Sequence, residues 1–340
     1  MAADSKGNEM TLRQVQLGSG PVVGAQGLGC MGMSEFYGPT DQDEVRRTLE
    51  QALERGVTLF DTADIYGSGA NEEFLAPFVN AHREQVVLAT KFGLVRKADD
   101  PNYRGFRGDA AYVREAAEGS LRRLDIDVID LYYMHRRDLT VPIEETVGAM
   151  AELVAEGKVR HLGLSEVTGD ELRAAHAVHP IAAVQSEWSV FNRDVENTVV
   201  PAAKELGVAL VPYSPLGRGF LTGAFADAAK LSDGDFRRNF PQYSGENAAR
   251  NAELLVPLRE IAQRHGATLA QVALAWLYAQ QDGLALVPIP GTRRRTRLDE
   301  NLGAVDVALT AADLALLDPI SSKVAGTRYA DMSFTSAARE

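Results

Sequence analysis

A chain of 340 residues, 45% hydrophobic and 24% charged, can bury a large core, and it holds no apolar run long enough to span a bilayer. Its formal charge of −12, from 35 basic and 47 acidic residues, argues against a nucleic-acid partner. One cysteine, Cys30, excludes an internal disulfide framework and thiolate zinc sites and, with no secretory leader visible, makes a cytoplasmic location the expectation.

Residues 11–24, with Gly18-Ser19-Gly20 between two short β-like pieces, predict a hairpin that closes one end of the fold. From there apolar runs alternate with amphipathic stretches. Runs ending near Cys30, Thr62, Lys91, His135, Ser165, Glu187, Tyr213 and Pro288 read as eight strands buried on both faces. Helical spacing predicts helices over 43–55, 72–80, 112–124, 143–156, 169–179, 199–206, 252–264, 269–280, 294–302 and 311–320. Gly56, Gly157 and Gly207 stand where left-handed caps would end three of them. Eightfold alternation points to an α/β fold, a (β/α)8 TIM barrel in one domain over 1–340, with 1–10 and 324–340 as flexible tails.

Two connections are long, 92–111 and 216–251. With the 324–340 tail they are the natural walls of a substrate pocket, and Tyr103, Phe106 and Trp188 suggest that its lining is partly aromatic. The stretch Gly27-Leu-Gly-Cys-Met-Gly32 matches G-x-G-x-x-G, but Gly38 and Pro39 follow where the dinucleotide fingerprint needs a helix. These glycines read as a tight passage from strand to loop.

Four polar residues then stand out. Asp61, Lys91 and His135 each end an apolar run, and Tyr66 lies five residues after Asp61 in Asp-Ile-Tyr-Gly. Past the carboxyl ends of parallel strands they converge on one rim. A buried ammonium is costly without a carboxylate, so Lys91 is expected to pair with Asp61. Lysine beside a phenol favours the phenolate and lowers its pKa from ~10, which suits Tyr66 to proton transfer. His135 can hold a substrate oxygen. The set suits protonation of a carbonyl while another group delivers hydride. The six histidines show no metal-ligand spacing, so no metal is expected. Arg293, Arg294, Arg295 and Arg297 follow the last strand as a cationic cluster, which in an acidic chain suggests a small phosphorylated ligand.

The motifs Leu59–Gly67, Ala89–Lys91, Asp130–His135, Gly163–Ser165, Val184–Ser186, Tyr213–Gly217 and Pro288–Thr292, ending in Glu300-Asn301, occur in order along the chain. Together with Gly217–Gly223 they resemble bacterial and plant members of the aldo-keto reductase superfamily. The resemblance implies a barrel oxidoreductase that uses NADPH/NADP+ without a Rossmann domain and reduces aldehydes or ketones. It makes Tyr66 the general acid, tuned by Lys91 and Asp61, with His135 orienting the carbonyl. Tyr213 would stack on the nicotinamide, and Ser165 and Gln185 would hold its carboxamide. Ser214, Pro215, Leu216, Gly217 and Arg218 would wrap the pyrophosphate. Gly291, Thr292, Arg293 and Arg297 would meet the 2′-phosphate, and Glu300 and Asn301 the adenine; Gly32, Met33, Asp61 and Glu166 complete the cofactor contacts. Glu166 stands where many relatives carry an asparagine, and an ionised glutamate offers only acceptors. The expected partners are a small carbonyl substrate and, compatibly, a second copy of the chain, with neither nucleic acid nor membrane. A nucleotide-sensing regulatory subunit, similar to potassium-channel β subunits, is the alternative that the resemblance allows.

Overall fold

In the computed structural model, which describes residues 12–97 and 100–340, seven parallel strands lie side by side in chain order. They are Leu28–Gly29, Leu59–Asp61, Val87–Phe92, Ile129–Met134, Val159–Ser165, Ile181–Glu187 and Ala209–Tyr213. The eighth run closes the ring without becoming a continuous strand: Leu286 bridges to Leu210 on one side and Gly291 to Gly29 on the other. Pro288 and Pro290 account for this, since neither has an N–H for a ladder. Val287 and Ile289 still donate to the Leu210 and Pro212 carbonyls, and Gly27 donates to the Pro288 carbonyl. The result is the (β/α)8 barrel.

Alternation along the strands sorts the core. Leu59, Ala89, Leu131, Tyr133, Val211 and Ile289 point into the barrel, where they meet Val15, Leu17 and Val23 of the N-terminal hairpin. That hairpin pairs Gln14–Gln16 with Val22–Gly24 and plugs the amino-terminal end. Tyr133 fills the barrel so closely that a Cβ at Gly163 would overlap its ring, so only glycine fits there. Outward residues such as Phe60 and Leu88 pack under the helices.

The helices fall close to their expected places: Gln42–Glu54, Ala70–Ala81, Ala110–Leu124, Ile143–Ala155, Gly169–Val178 and Val199–Leu206. Asp109 moves one start forward by accepting the Tyr112 N–H at 3.1 Å as an N-cap. Gly56, Gly157 and Gly207 take φ of +85°, +76° and +66°, the left-handed stops read from the sequence. The helix expected over 252–264 is two, Gly245–Glu253 and Val256–His265, because Pro257 can only open a helix.

Three loop expectations need amending. The connection after Lys91 contains an antiparallel hairpin, Leu94–Lys97 with Asp100–Phe106. The 216–251 connection winds into short 3-10 turns. The tail beyond residue 324, expected to be flexible, is laid over the carboxyl-terminal rim with Arg328, Thr335 and Ser336 buried. Residues 1–10, the other expected tail, lie outside the described residues.

Candidate active site

Inter-strand hydrogen bonding continues past the strand ends and fixes the rim. Thr62 N–H donates to the Ala89 carbonyl at 2.8 Å, Asp64 N–H to Lys91 at 3.1 Å and His135 N–H to Phe92 at 2.7 Å. Asp61, Lys91 and His135 are therefore held at one level. Tyr66 reaches them from a turn in which Gly67 and Ser68 both take positive φ, +58° and +54°.

The four expected residues do meet. Lys91 Nζ donates to Asp61 Oδ1 at 2.5 Å, to the Thr62 carbonyl at 2.7 Å and to the Tyr66 hydroxyl at 3.4 Å. Gln185 Nε2 donates to the other Asp61 oxygen at 2.8 Å. The Tyr66 and His135 rings meet edge to face with centroids 5.7 Å apart. Lys91 is completely buried and Asp61 is 3% exposed.

Burial sets the protonation states as much as the partners do. Burial works against the Lys91 ammonium, but Asp61 and Tyr66 outweigh it and hold the amine above its ordinary range. Burial also pushes the Tyr66 phenol up, and Lys91 only partly pulls it back. Burial outweighs the lysine, so the phenol is kept protonated at neutral pH, opposite to the lowering expected from Lys91 alone. His135 lies well below its ordinary range through burial, Arg136 and Lys91, so its imidazole is neutral.

Above the four opens a cavity of about 800 Å³. Tyr66, His135, Gly32, Asp61, Gln185, Tyr213, Ser214, Pro215, Leu216 and Arg218 line one stretch of it, and Gly291, Thr292, Arg293, Arg297, Glu300 and Asn301 the other. Five expected site residues do not line it. Lys91 sits beneath Tyr66, and Met33 is turned into the core beside Cys30. Gly217 is a backbone turn at φ +54°. Ser165 accepts from Arg136 at 3.2 Å. Glu166 is buried behind Tyr213, whose hydroxyl donates to it at 2.8 Å. Of the aromatic residues expected in the pocket, Phe106 lines it; Tyr103 does not, and Trp188 packs edge to face on Trp276 in the core. Arg136 was not expected as a lining residue, while Tyr329 and Phe334 line the cavity from the 324–340 tail that was expected to wall it, though neither was singled out. Arg136 had a signal, as the residue after His135.

The cavity's far end fits a phosphorylated dinucleotide by its donors. The helix Arg295–Leu302 opens there; its N-cap residue Arg294 supplies no side-chain cap, Glu44 accepts the first N–H, that of Arg295, at 3.2 Å, and Arg294 and Arg297 stand at that end. Gly29 and Gly291 approach so closely that a Cβ on Gly291 would come 3.1 Å from the Gly29 carbonyl oxygen. Arg293 is committed elsewhere: it donates to the carbonyls of Tyr37, Gly38 and Pro39 and to Thr40 Oγ1, at 2.8–3.0 Å.

Glu166, expected among the cofactor contacts, anchors the tail instead. Its carboxylate accepts from Arg328 at 3.3 Å through each oxygen and from the Ser336 N–H at 3.2 Å. Arg339 donates to its backbone carbonyl at 2.7 Å. Burial alone would push the Glu166 carboxyl up, but Arg328, Arg136 and the Tyr213 hydroxyl overcome it and hold it at about 2. A depressed carboxyl stabilises the fold above its ordinary value of 4.5 and loses that contribution as pH falls toward 2. Glu166→Gln removes the anchoring charge. Hydrogen exchange over 324–340 should then rise at neutral pH while the barrel strands stay protected, and the wild-type tail should loosen only in acid. Unchanged tail protection in the variant would refute the anchor.

A family model described as Aldo/keto reductase family matches residues 26–322. Among solved structures, a glycerol dehydrogenase from Gluconobacter oxydans is 25% identical at a TM-score of 0.80, covering 94% of this chain and 98% of that one. An aldo-keto reductase from Bacillus halodurans, in its holo form, is 28% identical at 0.73 over 91% and 96%. One from Klebsiella pneumoniae, in complex with NADPH, is 26% identical at 0.69 over 95% and 100%.

Proposed function

The chain belongs to the aldo/keto reductase family, and from that premise we propose that it reduces aldehydes or ketones to alcohols with NADPH, Tyr66 giving the proton. The observation that carries the reading is the buried Asp61–Lys91 pair under a protonated Tyr66 hydroxyl, at the mouth of a cleft that ends in a cationic helix terminus. When bound here, a nicotinamide dinucleotide would supply the hydride. Tyr213 and Gln185 would hold its nicotinamide end, Ser214 to Arg218 its pyrophosphate, Arg294 and Arg297 its 2′-phosphate and Asn301 its adenine.

The chain's own groups handle the oxygen. The unpartnered, buried nitrogen of His135 is Nδ1, and a neutral ring leaves an acceptor unmet more cheaply than a donor. Its proton is therefore assigned to Nε2, which donates to the carbonyl oxygen and aims it at Tyr66. Tyr66 gives its hydroxyl proton to that oxygen as negative charge develops there. Lys91, fixed by Asp61, stabilises the phenolate that remains. Since burial keeps the phenol protonated, kcat for reduction should stay flat from about pH 6 to 9 on a phenol with an ordinary pKa of ~10; a fall in reduction over that span would contradict the assignment.

Cofactor choice tests the far end of the cleft. Arg297→Ala should weaken NADPH by about 10–100-fold and leave NADH nearly unchanged, since a hydrogen bond to a charged group is worth about 1.5–3 kcal/mol. Arg293→Ala, which frees the 37–40 segment, should weaken both dinucleotides alike. Titration of each variant with the two cofactors checks this, and equal losses for both at Arg297 would remove it from the 2′-phosphate site.

A further inference from the structure

Arg136 is a second buried cation beside the proposed reaction site. It is 8% exposed and lines the cavity. Its Nη1 donates to two neutral oxygens, the His135 carbonyl at 2.7 Å and Ser165 Oγ at 3.2 Å. Nε is buried with no acceptor. Among the described residues Nη2 makes no hydrogen bond, and no carboxylate lies within ion-pairing distance of the guanidinium. The neighbouring arginines are all paired: Arg96 with Glu35 at 3.0 Å, Arg218 with Glu187 at 3.3 Å and Arg328 with Glu166 at 3.3 Å. Glu166 acts on Arg136 only at longer range, and its oxygens are held by Arg328, Tyr213 and two backbone N–H groups.

One local cation is left without a carboxylate of its own. Asp61 neutralises Lys91, and Glu166 and Glu187 face three arginines, Arg136, Arg218 and Arg328. Asp194, half-exposed, reaches only Arg328, at 3.5 Å on the outer side. Of these three arginines Arg136 is the one with no carboxylate in ion-pairing distance, and it lines the cavity. A buried charge without a partner is costly, and a ligand anion would relieve that cost. The guanidinium carbon is 5.8 Å from the ring centroid of Tyr213 and 5.8 Å from that of Phe334. That is the carbonyl end of the cleft, away from Arg294 and Arg297 at its other end.

We propose that Arg136 is the receptor for an anionic group of the substrate, so that the site favours carbonyl compounds carrying a carboxylate a few bonds from the reacting carbon. The word substrate rests on the reductase reading; the anion site rests on the surroundings of Arg136.

Benzoate and benzamide, titrated into the full-length protein without cofactor, separate the two claims, because neither is turned over. Wild type should bind benzoate at least about tenfold more tightly than benzamide, with the preference shrinking in salt. Arg136→Met should lose the preference, and Arg136→Lys should keep part of it. Equal binding of the two probes by wild type overturns the proposal without needing any variant, as does a preference that survives in a folded Arg136→Met. So does a tenfold loss of NADPH affinity in Arg136→Met with benzoate binding unchanged, which would give the guanidinium to the cofactor. The kinetic counterpart is 4-formylbenzoate against its methyl ester at saturating NADPH. Wild type should show a KM for the acid at least about tenfold lower, and Arg136→Met should raise that KM while sparing the ester. Benzoate preference with reduction of neither aldehyde would leave the anion site standing and the reductase reading refuted. Reduction of both aldehydes with equal KM, and no benzoate preference, would do the reverse.

Discussion

Tyr66→Phe will lower carbonyl reduction by about 10²–10⁴-fold, the usual worth of a positioned general acid, while NADPH affinity stays within a few-fold. The substitution removes one oxygen and keeps the ring against His135. Lys91 loses its contact at 3.4 Å but retains Asp61 and the Thr62 carbonyl, so the pair beneath stays satisfied. The effect should therefore fall on kcat and not on folding or cofactor binding. Transient kinetics on the cofactor-loaded variant, with thermal unfolding alongside, separates these. Full activity in a folded variant would remove Tyr66 from the chemistry.

The second large effect is on stability. Lys91→Met leaves the Asp61 carboxylate 3% exposed with Gln185 as its remaining side-chain donor. Breaking a buried pair from one side costs about 3–5 kcal/mol, because the surviving charge is uncompensated. The double variant Asp61→Asn with Lys91→Met carries no stranded charge and should recover part of that loss. Denaturant unfolding of the two single variants and the double one measures the coupling directly. Additive losses would mean that the two groups do not act as a pair, despite the 2.5 Å contact.

Much of this site could be read from the chain because the barrel turns sequence position into spatial position. An apolar run fixes a strand, its end fixes the rim, and Asp61, Lys91 and His135 follow without any knowledge of packing. The Arg295–Leu302 terminus and its cations were legible for the same reason. What was not legible depended on contacts remote in sequence. Glu166 looked like a cofactor contact by position, but its partners Arg328 and Ser336 lie more than 160 residues away. Arg293 looked free in a cationic run, and its acceptors are the carbonyls of residues 37–39. The eighth strand reads as an ordinary apolar run, yet its two prolines reduce it to bridges. The phenol of Tyr66 was expected to be pulled down by Lys91, whereas burial, a property of the whole rim, decides the direction.

Phe334 and Tyr329 extend the same point to substrate choice. Both line the cavity from the tail, and the tail is held by Glu166, itself bonded to Tyr213 on the cavity floor. The residue that departs from the family pattern therefore links the wall of the pocket to its floor.

The most direct test of the central claim is transfer of label from NADPH deuterated at the transferable C4 position of the nicotinamide, across a panel of aldehydes and ketones with and without a carboxylate. The account predicts an alcohol with one deuterium on its carbinol carbon, formed by wild type and slowed by about 10²–10⁴-fold in Tyr66→Phe. Tight NADPH binding with no labelled alcohol from any carbonyl, or labelling equally fast in the variant, would contradict it.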